Sequence, residues 1–124
     1  AARLGPERVR WTYPYRALVE AGVKVAGASD APICSPDVLH ALQCCVTREG
    51  FEPRQSLSAA QAVRLFTLDA AYAQFEEREK GSLSAGKRAD LVILSANPVT
   101  VPPGRIRSIR VLRTVCGGRT IFQS

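Results

Sequence analysis

The stretch VKVAGASDAP, from Val23 to Pro32, constrains the fold more than any other part of the chain. Its β-branched and small residues read as a buried strand over Val23–Ala28, of the kind that parallel sheets enclose on both faces. Pro32 cannot continue a ladder, so the strand stops and leaves Asp30 at its carboxyl end. In α/β folds that end is where chemistry is usually done, and an Asp two residues before a proline equally often just caps the turn. The preceding phrase, TYPYRALVEAG, has Pro14 near a first turn, Ala17, Leu18 and Ala21 at helical spacing, and Gly22 as the stop. A helix feeding a strand makes an αβ unit.

Length limits what can surround this unit. The chain has 124 residues, enough for one domain of about 100–150 but far short of a (β/α)8 barrel of roughly 250. With 46% hydrophobic and 23% charged residues it has the composition of a globular protein. No apolar run approaches the roughly 20 residues of a membrane-spanning helix, so no membrane partner is expected. The N-terminal AARLGPERVR has neither Met nor the pattern of a signal peptide, and is expected to be an interior starting point.

The middle of the chain reads as helices. SPDVLHALQCCVTREG predicts one with Ser35 as N-cap, Pro36 at its first position, a stripe of Val38, Leu39, Leu42, Cys45 and Val46, and Gly50 as its close. SLSAAQAVRLFTLDAAYAQF predicts another capped by Ser56 or Ser58, then a break at Thr67, whose hydroxyl is expected to cap a further short helix. From Gly81 the pattern changes to strands separated by Gly, Pro and Asn turns, and Gly117-Gly118 is a two-residue hairpin signal. GSLSAGK has the glycine spacing of a phosphate loop, yet a strand rather than a helix follows Lys87-Arg88. Gly86 therefore reads as a turn residue of positive φ, and Asp90 as an acceptor at a turn or strand start.

Net charge is +6, and Val101 to Ser124 holds five arginines, Arg105, Arg107, Arg110, Arg113 and Arg119, with no acid. They alternate with Ile106, Ile109, Val111, Leu112 and Val115, as on the solvated face of a sheet. No aromatic cluster or reading motif accompanies them, so nucleic acid is not an expected partner. Cys34, Cys44, Cys45 and Cys116 make no Cys-x-x-Cys pair and no zinc-finger spacing, and read as reduced, buried thiols of a cytoplasmic protein. The single histidine, His40, lies mid-helix and reads as a packing or surface residue. Tyr13, Tyr15 and Arg16 read likewise as packing or surface residues, and Arg48, late in its helix, as a structural residue in contact with the C-terminal carbonyls.

GASDAP, QAVRLFTLDAAYAQF, EKGSLSAGKRADLVILSANP and VLRTVCGGRTIF stand in the order and spacing of the C-terminal part of the amidohydrolase superfamily. The chain resembles most the branch called amidohydrolase family 3, which includes N-substituted formamide deformylase-like enzymes, from about Leu4 onward. The resemblance implies an α/β fold. This would be the C-terminal piece of a metal-dependent hydrolase, with the last βα elements of a (β/α)8 barrel in residues 1–75 and strands of a composite β-sandwich in residues 76–124. Val23–Ala28 is then the eighth barrel strand, and Asp30 both a metal ligand and the base that takes a proton from the attacking water. The implied cofactor is a divalent metal, zinc, and the implied substrate a small-molecule amide.

The family's other ligands, a His-x-His pair, a Lys or other bridging group and further histidines, match nothing here. One carboxylate falls short of the three protein ligands a catalytic metal usually needs, so the chain alone is expected to be inactive and to hold no ion tightly. Open strand edges and half-covered helices further lead us to expect self-association. A non-catalytic binding or assembly module with a basic sheet surface is the alternative.

Overall fold

In the computed structural model, which describes residues 3–124, five short α-helices precede a three-stranded antiparallel sheet. Pro6 opens α1 (Gly5–Val9), where its missing N–H costs nothing. Helix α2 (Tyr15–Glu20) follows Pro14 and ends as expected before Gly22, which turns with φ +79°.

Helix α3 (Val38–Thr47) starts later than its sequence suggests. Asp37, not Ser35, is the N-cap, its carboxylate accepting from the backbone N–H of His40 at 3.1 Å. Ser35 accepts instead from the N–H of Asp37 at 3.3 Å, a local turn that uses up its hydroxyl. Helix α4 (Ala59–Leu65) has a full capping box: Ser58 accepts from the N–H of Gln61, and the Gln61 amide accepts from the N–H of Ser58. The chain breaks at Thr67 before α5 (Leu68–Ala73), but the Thr67 hydroxyl donates back to the carbonyl of Val63 at 2.8 Å rather than capping forward.

Val23–Ala28 forms no strand. A strand exists through its ladder, and here the segment is tied by isolated bonds, Val23 N–H to the Leu18 carbonyl and Gly27 N–H to the Leu65 carbonyl at 2.9 Å. It lies against α4, with Val25 packed on the core.

The sheet runs β1 (Leu91–Leu94), β2 (Val111–Cys116), β3 (Arg119–Gln123) in spatial order. Leu91 pairs with Val115 and Cys116 with Arg119, and each ladder shifts register once. Gly117 (φ +55°) and Gly118 (φ +78°) make the hairpin turn, both positive as a primed turn requires. Asp90 meets its expected role: its carboxylate accepts from the N–H of Gly117 at 2.7 Å and ties the turn to the start of β1. Lys87 is part of the scaffold, donating to the carbonyls of Glu77 and Lys80. Gly86 has φ +87°, as expected.

The basic stretch departs from the sheet pattern. Pro103–Ser108 is a 3-10 helix, because two prolines at its entrance withhold the N–H groups a ladder needs. Its Ile106, only 1% exposed, enters the core formed by Leu42, Cys45, Leu57, Ala62 and Leu65. All five arginines remain exposed. Gln43, itself buried, reaches across to accept from the N–H of Arg107 at 3.1 Å, so its polar end is satisfied. Asp69 is buried too and takes two bonds from Arg64 at 3.0 and 3.2 Å.

Gly81 links the helices to the sheet and has no substitute. Its φ is +86°, and a Cβ there would lie 2.7 Å from the Ala71 Cβ and 3.0 Å from the Leu68 Cα. Gly81→Ala is expected to cost about 1–3 kcal/mol from backbone strain and overpacking. Thermal denaturation checks this, and an unchanged Tm contradicts it.

Candidate functional site

Asp30 sits at the apex of the turn that ends the Val23–Ser29 segment. Its φ is +56°, a left-handed conformation that Asp tolerates better than most residues. The turn is held by other groups. The Asp30 carbonyl accepts from the N–H groups of Ile33 (2.9 Å) and Cys34 (3.3 Å), and the Ser29 hydroxyl accepts from the N–H of Ala31 (3.3 Å). Among the described residues the Asp30 carboxylate has no hydrogen-bond or ion-pair partner, and its residue is exposed. Capping of the turn, the structural role open to an Asp before a proline, falls to Ser29.

A cavity of about 550 Å³ opens beside this turn, between the Ala26–Ser29 segment and the face of α3, and Ser29, His40, Cys44, Tyr15, Arg48 and Phe66 are among its walls. Asp30 itself is not in the lining. Tyr15 is half-buried; burial, with Cys45 adding to it, raises the phenol above its ordinary range, against the nearby Arg48 guanidinium. Arg48 holds this wall together: its guanidinium lies 5.4 Å from the ring centres of both Tyr15 and Phe51 and donates to the carbonyls of Phe51 and Thr12. Its structural role is as expected, although the carbonyls it serves lie outside its own helix. Arg16 pairs instead with Glu20 at 2.7 Å.

The four cysteines are free, but only Cys45 is buried; Cys34 and Cys116 are exposed, which corrects the expectation of four buried thiols. Cys34 lies in the loop before α3 and Cys116 borders the hairpin turn, where no layer covers them. Burial pushes the Cys45 thiol up, with Cys44 adding to it. Cys44 is raised by burial and then by the adjacent Glu49.

His40 is not a lone residue. Its Nε2 is 3.6 Å from Glu49 Oε1, and Cys44 Sγ is 3.8 Å from the same oxygen. The spacing of His40 and Cys44 puts both on one helical face, a signal present in the sequence. Glu49 returns to that face because Arg48 (φ +54°) and Glu49 (φ +48°) are successive left-handed residues, which no pattern rule foretells for Arg and Glu.

Among the described residues, His, Cys, Asp and Glu groups converge closely enough for an ion only at this trio. Asp30 is outside it and offers one carboxylate, so the donors of this chain do not complete a catalytic divalent-metal site around Asp30. No helix among the described residues is long and apolar enough to cross a membrane.

Known proteins resemble this chain in sequence and in fold. The chain is 36% identical over 111 residues to N-substituted formamide deformylase of Arthrobacter pascens, covering 86% of this chain and 20% of that protein. It is 27% identical over 129 residues to the putative amidohydrolase YtcJ of Bacillus subtilis, covering 98% of this chain and 24% of that protein. The chain thus spans about a fifth to a quarter of the length of these relatives. The crystal structure of an amidohydrolase from Thermotoga maritima superposes on 86% of the chain and 25% of its own length with a TM-score of 0.68 at 23% identity, which shows a shared fold. The amidohydrolase family model matches residues 1–122, nearly the whole length, and on that match the chain belongs to the amidohydrolase family.

Proposed function

We propose that these residues form the C-terminal part of a metal-dependent hydrolase that cleaves amide- or formamide-type C–N bonds, with Asp30 as its base. The family acts on C–N bonds, and the similarity to an N-substituted formamide deformylase favours formamide-type substrates. The observation that carries the reading is Asp30: a left-handed, exposed carboxylate that its own turn does not use. A left-handed backbone kept at a residue whose side chain has no structural task is characteristic of functional positions.

In this reading the Asp30 carboxylate accepts a proton as water oxygen bonds to the carbonyl carbon. It then returns the proton to the nitrogen as the C–N bond breaks, so one group serves as base and acid in turn. A divalent metal, zinc in this proposal, supplies a water of lowered pKa when bound. Asp30 alone cannot hold it, so the 124 residues by themselves are proposed to be inactive.

The test is formate release from an N-substituted formamide by the complete enzyme that carries this sequence, before and after exhaustive chelation. Turnover that is lost on chelation and restored by zinc is the expected result. Turnover that survives complete metal removal, or no hydrolysis of any amide or formamide, overturns the reading.

A further inference from the structure

The His40–Cys44–Glu49 trio has the donors and the spacing of an ion site. Against the expectation, drawn from Asp30 alone, that the chain holds no ion tightly, we propose that this trio binds one thiophilic divalent cation, zinc in the first place, through His40 Nε2, Cys44 Sγ and Glu49 Oε1. With Zn–N and Zn–O near 2.0–2.2 Å and Zn–S near 2.3 Å, tetrahedral ligands stand about 3.3–3.6 Å apart. Glu49 Oε1 is already 3.6 Å from His40 Nε2 and 3.8 Å from Cys44 Sγ, and all three ligand atoms lie within 4.8 Å of one another. Small side-chain rotations close the rest.

The elements set this geometry without help from the ion. His40 and Cys44 project from one face of α3, a turn apart, and the left-handed pair Arg48-Glu49 folds the carboxylate back over that face. The Thr47 hydroxyl fixes the fold-back by accepting from the Glu49 N–H at 3.2 Å. An ion has access from water, since the His40 and Glu49 side chains are 42% and 59% exposed.

A mixed thiolate, imidazole and carboxylate set selects zinc over magnesium or calcium, which prefer all-oxygen cages. Burial and then Glu49 raise the Cys44 thiol above its ordinary range, whereas a coordinated thiol is deprotonated outright. Arg48 and Arg107, the cations near Cys44, weigh against the ion and in favour of the thiolate. Three protein ligands leave a fourth position for water or for a donor atom of a bound molecule.

The rival is a plain ion pair between His40 and Glu49 with Cys44 as bystander, and cobalt separates the two. Titrating the reduced chain with Co²⁺ should give a thiolate charge-transfer band and tetrahedral d–d bands that saturate at one equivalent and vanish on adding zinc. Cys44→Ser and Cys44→Ala should abolish the charge-transfer band while far-ultraviolet dichroism keeps its helical signal. His40→Asn and Glu49→Gln should weaken binding at least about tenfold, since loss of a ligand should cost no less than loss of an outer partner. Cys34→Ala, Cys116→Ala and Asp30→Asn should leave the titration unchanged. No saturable band overturns the site, as does a band that survives loss of Cys44 or disappears with Asp30→Asn. Because the titration reads no hydrolysis, failure of the proposed amide-cleaving activity leaves its outcome untouched.

Discussion

Asp30→Asn in the complete hydrolase is expected to lower kcat by on the order of 100-fold, the lower range for loss of a positioned base. Asn is the informative replacement. It tolerates the left-handed conformation that Asp30 adopts (φ +56°), so the turn and its backbone bonds to Ile33 and Cys34 persist. It keeps the size of the side chain and removes its negative charge, and with it the ability to take a proton or to hold a metal as an anion. An exposed side chain without partners among the described residues has little packing to lose, so the melting temperature should stay the same. Steady-state kinetics beside a thermal melt decide the matter: turnover equal to the parent's removes Asp30 from the chemistry, whatever the family resemblance implies. A fall in kcat and kcat/KM together marks an interaction made in the transition state.

The second large effect belongs to Ile106. Among the described residues eight apolar side chains are buried, and Ile106 is the largest that is fully enclosed. It is brought to Leu42, Cys45 and Leu65 by the 3-10 helix Pro103–Ser108. Ile106→Ala removes buried methyl groups and leaves a cavity where helices and 3-10 segment meet, which typically costs about 2–5 kcal/mol. Against a total stability of about 5–15 kcal/mol for an ordinary domain, that is a large share. Urea unfolding should show a lower midpoint with an unchanged slope. A loss under about 0.5 kcal/mol would mean that this contact does not hold the helical and sheet parts together.

Local features were legible in the sequence wherever one residue's chemistry decides a conformation. Gly22, Gly86 and the Gly117-Gly118 turn are of this kind, as are the Ser58 cap and the break at Thr67. Features that depend on a distant partner were not. Val23–Ala28 has strand composition, yet a ladder needs a neighbour that composition does not encode. Ile106 and Ile109 alternate with arginines as a sheet residue would, yet Pro102 and Pro103 turn the chain into a 3-10 helix and both isoleucines go to the core. Asp30 was legible as a chain position, from Pro32 behind it and the phrase GASDAP around it. The pairing of His40 with Glu49 was not legible, because Glu49 comes back to the helix face only through Arg48 and Glu49 itself, two left-handed residues that are not glycines.

The bond from the Arg107 N–H to Gln43 joins positions 64 apart in sequence. It closes the longest loop among the side-chain hydrogen bonds of the described residues, around a core that local contacts alone cannot assemble. Such closure sets the order of events as the chain collapses: the Cys116–Arg119 hairpin forms between near neighbours on the microsecond scale, and the joint at Gln43 waits for the whole intervening loop. The entropy of closure grows only as the logarithm of loop length, about 0.6 kcal/mol for each doubling. Residues added at exposed turns between these two positions therefore cost the fold little, and it is at such turns that the chain can vary in length while its core stays the same.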